Sequence, residues 1–354
     1  MIDTFTVSYE FPRETAKESF LKLLSYMQAQ YKMKMYNKLF NSFHFTGVFC
    51  DYGILSFAML KHEPRKENGY FVKLTINPKA LLDQEDYDHI SLAVEKDYAS
   101  VACIFDTYIS CLSEEAGVFL PSLDTWVPTR VDFAVNAIGV PASLYVYLFN
   151  KGAAPPNAVL KCSLRKCFQY KANGSYYRPY KGLTINFYNK TLQLQQKHNI
   201  TLNCDVLRLE VQLKLNDKKR IAASLGLDGS SELTLKALWN KILAYDTLYR
   251  YIVCTVGKED FLPKSKTSSI LRSKQKGVLL HKAIEFLNIL NVNNVYFDIA
   301  ENIFIVQNDD HAERYFRDRV LPVFRKVGVN PITLPAKSGF KRLPNPLCFL
   351  EQLQ

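Results

Sequence analysis

Along the first two thirds of the chain, apolar and polar residues alternate with a period of two in several runs, and the last third changes to helical spacing. Residues 4–11, 49–60, 70–77, 129–137, 161–170, 182–190 and 206–214 are rich in β-branched and aromatic residues and read as strands. Residues 12–40 place Phe20, Leu23, Leu24 and Met27 at helical spacing, which predicts an amphipathic helix covering one sheet face. Residues 83–118 read as mainly helical. A charged stretch containing Gly and Ser follows Lys214 and predicts a boundary near residue 225. Beyond it, Leu235, Leu238, Ile242 and Leu248 mark a long helix, 268–290 a second and 309–327 a third. Strands first and helices later predict an α+β fold: an antiparallel-sheet domain with flanking helices over 1–225, then a mainly helical domain over 226–354.

A length of 354 residues suits two domains, and 48% hydrophobic with 22% charged residues excludes wholesale disorder. No run approaches the roughly 20 apolar residues that cross a bilayer, and the first residues lack a basic segment followed by an apolar one. The expectation is a cytoplasmic protein with no membrane partner. Eight Cys are dispersed with no CxxC pair, and Cys162 and Cys167 are the closest two. They read as reduced thiols. Charge changes the picture more: 45 Lys and Arg against 34 Asp and Glu leave +11, which favours a polyanion partner. The segment LPKSKTSSILRSKQKG gathers Lys264, Lys266, Arg272, Lys274 and Lys276 among polar spacers, either as a DNA-facing connection or as a solvated loop.

Three strand candidates carry residues with more specific chemistry. In 129–137, Val131, Phe133 and Val135 share one face, while Arg130, Asp132, Ala134 and Asn136 share the other. In 183–190 the even positions are Thr184, Asn186, Tyr188 and Lys190, and in 206–214 they are Arg208, Glu210, Gln212 and Lys214. Three neighbouring strands would present these residues together on one wet face. Asp132 and Glu210 are hard oxygen ligands of the kind that suits Mg²⁺ or Mn²⁺. Tyr188 is a candidate nucleophile, but a phenol with a reference pKa of about 10 is only about 0.1% ionised at neutral pH. Arg130, Arg208 and Lys190 are the cations expected to favour its phenolate.

At these residues the chain resembles the replication initiators of filamentous phages and related plasmids, the gene II and gene X family, and more distantly the Rep_trans-type initiators of rolling-circle plasmids. The resemblance is carried by Met1-Ile-Asp-Thr-Phe, by VKLTINPKALL from Val72 to Leu82, by Thr129-Arg-Val-Asp-Phe-Ala, by Ile185-Asn-Phe-Tyr-Asn-Lys and by Leu207-Arg-Leu-Glu-Val. Together these span residues 1 to about 215. The resemblance implies a site-specific DNA endonuclease and strand transferase that nicks a plus-strand origin through Tyr188. It implies a 5′-phosphotyrosine link, later resealing, and a divalent metal held by Asp132 and Glu210. The implied partners are single-stranded or supercoiled origin DNA, a bacterial host's helicase and polymerase, and a second copy of the chain. After Lys190 this chain reads Thr-Leu-Gln-Leu where the resemblance leads one to expect an acid, and it has no His-hydrophobic-His triplet.

Rival readings accompany these. Tyr176, Tyr177 and Tyr180 lie in NGSYYRPYKG, a turn-like stretch in which Tyr176, Tyr177 and Arg178 suit contacts with unpaired bases and their phosphates. One of these tyrosines is an alternative nucleophile. Asn77 and Pro78 read as a turn, and the dispersed histidines as surface or core residues. The alternative functions are an origin-binding regulator without catalysis and a single-strand-binding protein.

Overall fold

The computed structural model describes residues 1–37, 41–48, 53–61, 69–153, 174–180, 182–215, 233–292, 295–308 and 311–353. The chain has an α+β fold with a helical C-terminal region, built on a nine-stranded antiparallel sheet. The strands are β1 (Ile2–Glu10), β2 (Lys32–Asn37), β3 (Ser42–Thr46), β4 (Ile54–Lys61), β5 (Tyr70–Ile76), β6 (Val127–Ile138), β7 (Ser175–Pro179), β8 (Leu183–Asn189) and β9 (Val206–Lys214). Their order across the sheet is β2-β3-β4-β5-β1-β6-β9-β8-β7. Two compact units divide the chain, one comprising Met1–Ala134 and Val211–Asp246, the other Val135–Glu210 and Thr247–Gln352. The boundary expected near 225, the strand expected at 161–170, and both Cys162 and Cys167 lie outside the described residues.

In the first unit, α1 (Ala16–Gln30) and α3 (Tyr98–Ala116) bury aromatic and aliphatic side chains against one face of the sheet. The alternation of β1 supplies that face with Phe5, Val7 and Tyr9, all buried. Tyr9 and Phe105 both meet the Trp126 ring, with centroids 5.6 Å away, and Phe20 of α1 meets Tyr70 at 5.1 Å. Asn77 ends β5 and caps α2 (Pro78–Asp83): its Oδ1 accepts from Lys79 and Ala80 N–H, and Pro78 occupies the first turn, where its missing donor costs nothing. The expected turn is this cap. Gly53 sits beneath it with φ +75°, and a Cβ there would stand 2.5 Å from Asn77 O, so only glycine fits the approach.

The second unit packs α4 (Ala142–Phe149) on β7 and β8. Phe149 meets Phe187 at 4.9 Å, and Tyr176 stacks on Phe187 at 5.9 Å. Here α5 (Lys190–His198) follows β8 directly. The later helices are α6 (Leu235–Leu238), α7 (Lys241–Val256), α8 (Lys264–Lys274), α9 (Gly277–Leu290), α10 (Phe297–Asn308), α11 (Ala312–Tyr315) and α12 (Leu321–Val327). Of these, α8 to α12 belong to the second unit, where Phe286 of α9 gathers the rings of Phe297, Phe304, Phe316 and Phe324. Asn330 and Asn345 both donate to Glu259 O and fasten the last segment to the loop after α7.

Several sequence expectations are corrected. The helix expected over 12–40 ends at Gln30, and Lys32–Asn37 is an edge strand, as the alternation KMKMYN permits. Within 83–118, only α3 is a long helix. β3 went unread, and NGSYYRPYKG supplies β7 where a turn was expected, pairing Tyr176 with Phe187. The long helix expected after 231 breaks at Trp239 and Asn240, and the second begins earlier, at Lys264, and breaks at Gln275 and Lys276. The basic segment 262–277 is therefore helical over most of its length, neither a connection nor a loop. α10 was not foreseen. Between α11 and α12, Phe316–Val320 form a π-helical turn just before Pro322, which has no N–H for Asp318 O and whose ring crowds that carbonyl.

Candidate functional site

The polar faces of β6, β8 and β9 were expected to be wet, and they are buried instead. Asp132 retains 1% of its surface, Glu210 3%, Tyr188 4% and Arg208 none. Period-two polarity cannot distinguish a solvated face from one whose polar groups satisfy each other, and here they do the latter.

In the second unit, Tyr188 lies one residue before the end of β8, and its hydroxyl donates to Glu210 Oε2 on β9 at 3.2 Å. On the same face of β9, Arg208 Nε donates to Asn136 Oδ1 of β6 at 2.8 Å. The dyad is held from behind by Asn189, whose Oδ1 accepts from Leu192 N–H to cap α5, while its Nδ2 donates to Ser143 Oγ of α4. Lys190 does not share the strand face. It opens α5, is buried, and its Nζ donates to Gln193 Oε1 at 3.1 Å. The strand period of two ends where Asn189 turns the chain into a helix, so parity stops predicting direction there.

In the first unit, Asp132 is clasped by Arg130. The Arg130 Nε donates to Asp132 Oδ1 at 2.7 Å, Nη2 donates to Oδ2, and Thr4 Oγ1 of β1 also donates to Oδ2. Burial pushes the Asp132 carboxyl up to about 6, against the downward pull of Arg130 and Thr4, and nearby Asp3 adds to the rise. Asp3 lies where the β1–β6 register shifts, between Ile2 and Thr4. A divalent cation at Asp132 would meet a guanidinium already seated on both oxygens. This arrangement does not fit a metal, and among the described residues no group of three or more His, Cys, Asp or Glu is gathered as a metal centre.

The aromatic stretch is divided by β7. Tyr176 is 1% exposed and Arg178 6%. The Arg178 guanidinium is layered between the Tyr176 and Tyr296 rings, 4.5 and 5.1 Å from their centroids. The Tyr176 hydroxyl shares hydrogen bonds with Thr255 and Tyr180. These are core residues with their stacking surfaces already covered, contrary to the expected contacts with bases and phosphates. Burial pushes the phenols of both Tyr176 and Tyr180 up, which disfavours them as rival nucleophiles. Tyr177 is half-buried, opposite Asn186.

On α8, Lys264, Lys266, Arg272 and Lys274 are exposed, as is Lys276 beyond it. Lys274 Nζ donates to Val327 O at the end of α12, at 3.2 Å. Sequence reasoning missed Thr4, Thr6 and Thr75 as parts of the polar face. The signal was present in IDTFTVSYE, where Thr4, Thr6 and Ser8 alternate with Phe5, Val7 and Tyr9. No helix among the described residues is long and apolar enough to cross a membrane.

The chain was compared with protein-family models and with curated proteins, and neither comparison finds a match.

Proposed function

We propose that the chain is a rolling-circle replication initiator that cuts and rejoins one DNA strand through Tyr188. The observation that carries this reading is the Tyr188–Glu210 hydrogen bond, because it supplies an acceptor where a phenol needs one. As the Tyr188 oxygen bonds to phosphorus, its proton passes to Glu210. The bond from phosphorus to the 3′ oxygen breaks, and that oxygen leaves as a protonated hydroxyl. One phosphate ester replaces another, so reversal reseals the strand without ATP. Arg208, on the same face of β9, adds positive potential for the developing charge. A Mg²⁺ or Mn²⁺ ion belongs to this reading through the resemblance alone, and no step is routed through it. Origin DNA, host helicase and polymerase, and a second copy of the chain remain the partners under the same reading, in a bacterial cytoplasm.

The test is incubation of the protein with a pool of random-sequence single-stranded oligonucleotides and Mn²⁺, followed by mass spectrometry of the peptide that carries nucleotide. The adduct is expected on Tyr188 and is expected to vanish in Tyr188→Phe. An adduct of undiminished yield in that variant refutes the assignment.

The burial of Tyr188 and Glu210 favours a second reading, a DNA-binding regulator without catalysis, since a scissile phosphate must reach the phenol. Under that reading the pool is bound in a salt-sensitive way and no covalent product forms at any Mg²⁺ or Mn²⁺ concentration.

A further inference from the structure

Four residues stand directly opposite one another across four neighbouring strands of the first unit. Leu215 N–H donates to Thr129 O, a register that sets Lys214 of β9 opposite Arg130 of β6. Arg130 is opposite Thr6 of β1, and Thr6 is opposite Thr75 of β5. The Thr6 and Thr75 Oγ1 atoms are 3.1 Å apart, so the two side chains share a face. Arg130 belongs to that face because its guanidinium meets Asp132, which also accepts from Thr4, two residues before Thr6. At about 4.8 Å per strand the row extends roughly 14 Å.

The composition of the row has a chemical sense. Two cations directly opposite each other on a sheet cost stability, and two hydroxyls beyond them add further donors. Asp132 engages two of the five guanidinium donors and sets the plane of the fork, while the Arg130 side chain keeps 31% of its surface and Asp132 only 1%. The negative charge is the floor and the positive charge faces outward.

The geometry points to an oxyanion site for a phosphate group, held by the Arg130 fork and Lys214 with the hydroxyls of Thr6 and Thr75. Asp132 serves it as the positioning residue for Arg130. A phosphate accepts through several oxygens at once and suits a donor-rich row of this kind. Its source is a backbone phosphate of single-stranded DNA or a free phosphate. Only the first of these sources rests on the reading proposed above; the anion chemistry does not.

The experiment uses the full chain carrying Tyr188→Phe, so that binding is read without strand transfer. Inorganic phosphate is titrated calorimetrically, and a twelve-residue oligothymidylate by fluorescence anisotropy. Arg130→Gln is expected to weaken binding at least tenfold, and Lys214→Gln and Thr75→Val several-fold each. Arg130→Lys should recover part of the loss, because it restores charge without the fork. Asp132→Asn should weaken binding in the presence of Arg130 and add nothing to Arg130→Gln, a non-additivity that a merely structural role does not produce. Loss confined to the oligothymidylate identifies a backbone phosphate, and loss confined to inorganic phosphate a free one. Unchanged affinity for both probes in Lys214→Gln and Thr75→Val, at unchanged melting temperature, overturns the site, and these two variants decide the matter even where Arg130→Gln does not fold. Should the Tyr188 adduct be absent while the row variants lose affinity, the strand-transfer reading falls and the oxyanion site stands.

Discussion

At the scale of single residues, Asp132 couples the fold to pH. Its carboxyl is pushed up to about 6 because burial strips it of water more effectively than Arg130 and Thr4 compensate. A carboxyl whose folded value lies above its ordinary one near 4 binds its proton more tightly in the folded state. Its contribution to stability is therefore fully present below about pH 4 and is lost as pH rises through about 6. A shift of two units corresponds to something on the order of 3 kcal/mol. The stability of the unmodified chain minus that of Asp132→Asn should rise as pH falls from 7 to 4, as read by chemical denaturation at a series of pH values. A flat difference across that window contradicts the account. Tyr188→Phe makes a separate statement. It removes one donor from a buried carboxylate and should cost about 1–3 kcal/mol in the same assay, even with no DNA present.

At the scale of elements, the change from strand to helix at Asn189 shows how one capping residue redirects chemistry. Lys190 would have shared a face with Tyr188 had the strand continued, and the cap instead sends it into α5. The basic helix α8 is the complementary case. Thr267 and Leu271 are buried, which seats the helix on its neighbours, while Arg272 and Lys266 flank a row of Ser265, Ser269 and Ser273 on the outward side. No acidic residue interrupts it. If that face meets duplex phosphates, as the proposed function suggests, replacing Lys266 and Arg272 by Gln should lower the dependence of log affinity on log salt by about 0.9 for each lost contact. Lys274→Gln should act differently, loosening the end of α12 whose carbonyl it holds, and so appear as a lowered melting temperature. An unchanged salt slope in the Lys266/Arg272 double variant would remove α8 from the interface.

At the scale of the whole molecule, the sequence alone determined the α+β class, the surplus of positive charge and the positions of β1, β4, β5, β6, β8 and β9. These features are local or additive: a period of two over seven to nine residues and a sum of charges need no knowledge of what packs where. β2, β3 and β7 were missed because five or six residues give too few repeats to outweigh neighbouring helical or turn-like signals, and pairing with a longer strand is what makes them strands. The candidate site was legible as a set of polar residues on three strands, Tyr188, Glu210, Asp132, Arg130 and Arg208 among them. Its state was not. Tertiary structure alone decided that this face is buried, that Asp132 is clasped by Arg130 rather than open to a metal, that Tyr176 and Arg178 belong to the core, and that Glu210 receives the Tyr188 hydroxyl. The reason is physical: desolvation and partner choice depend on atoms brought together from strands more than a hundred residues apart, such as Thr4 and Asp132, and no local pattern contains both.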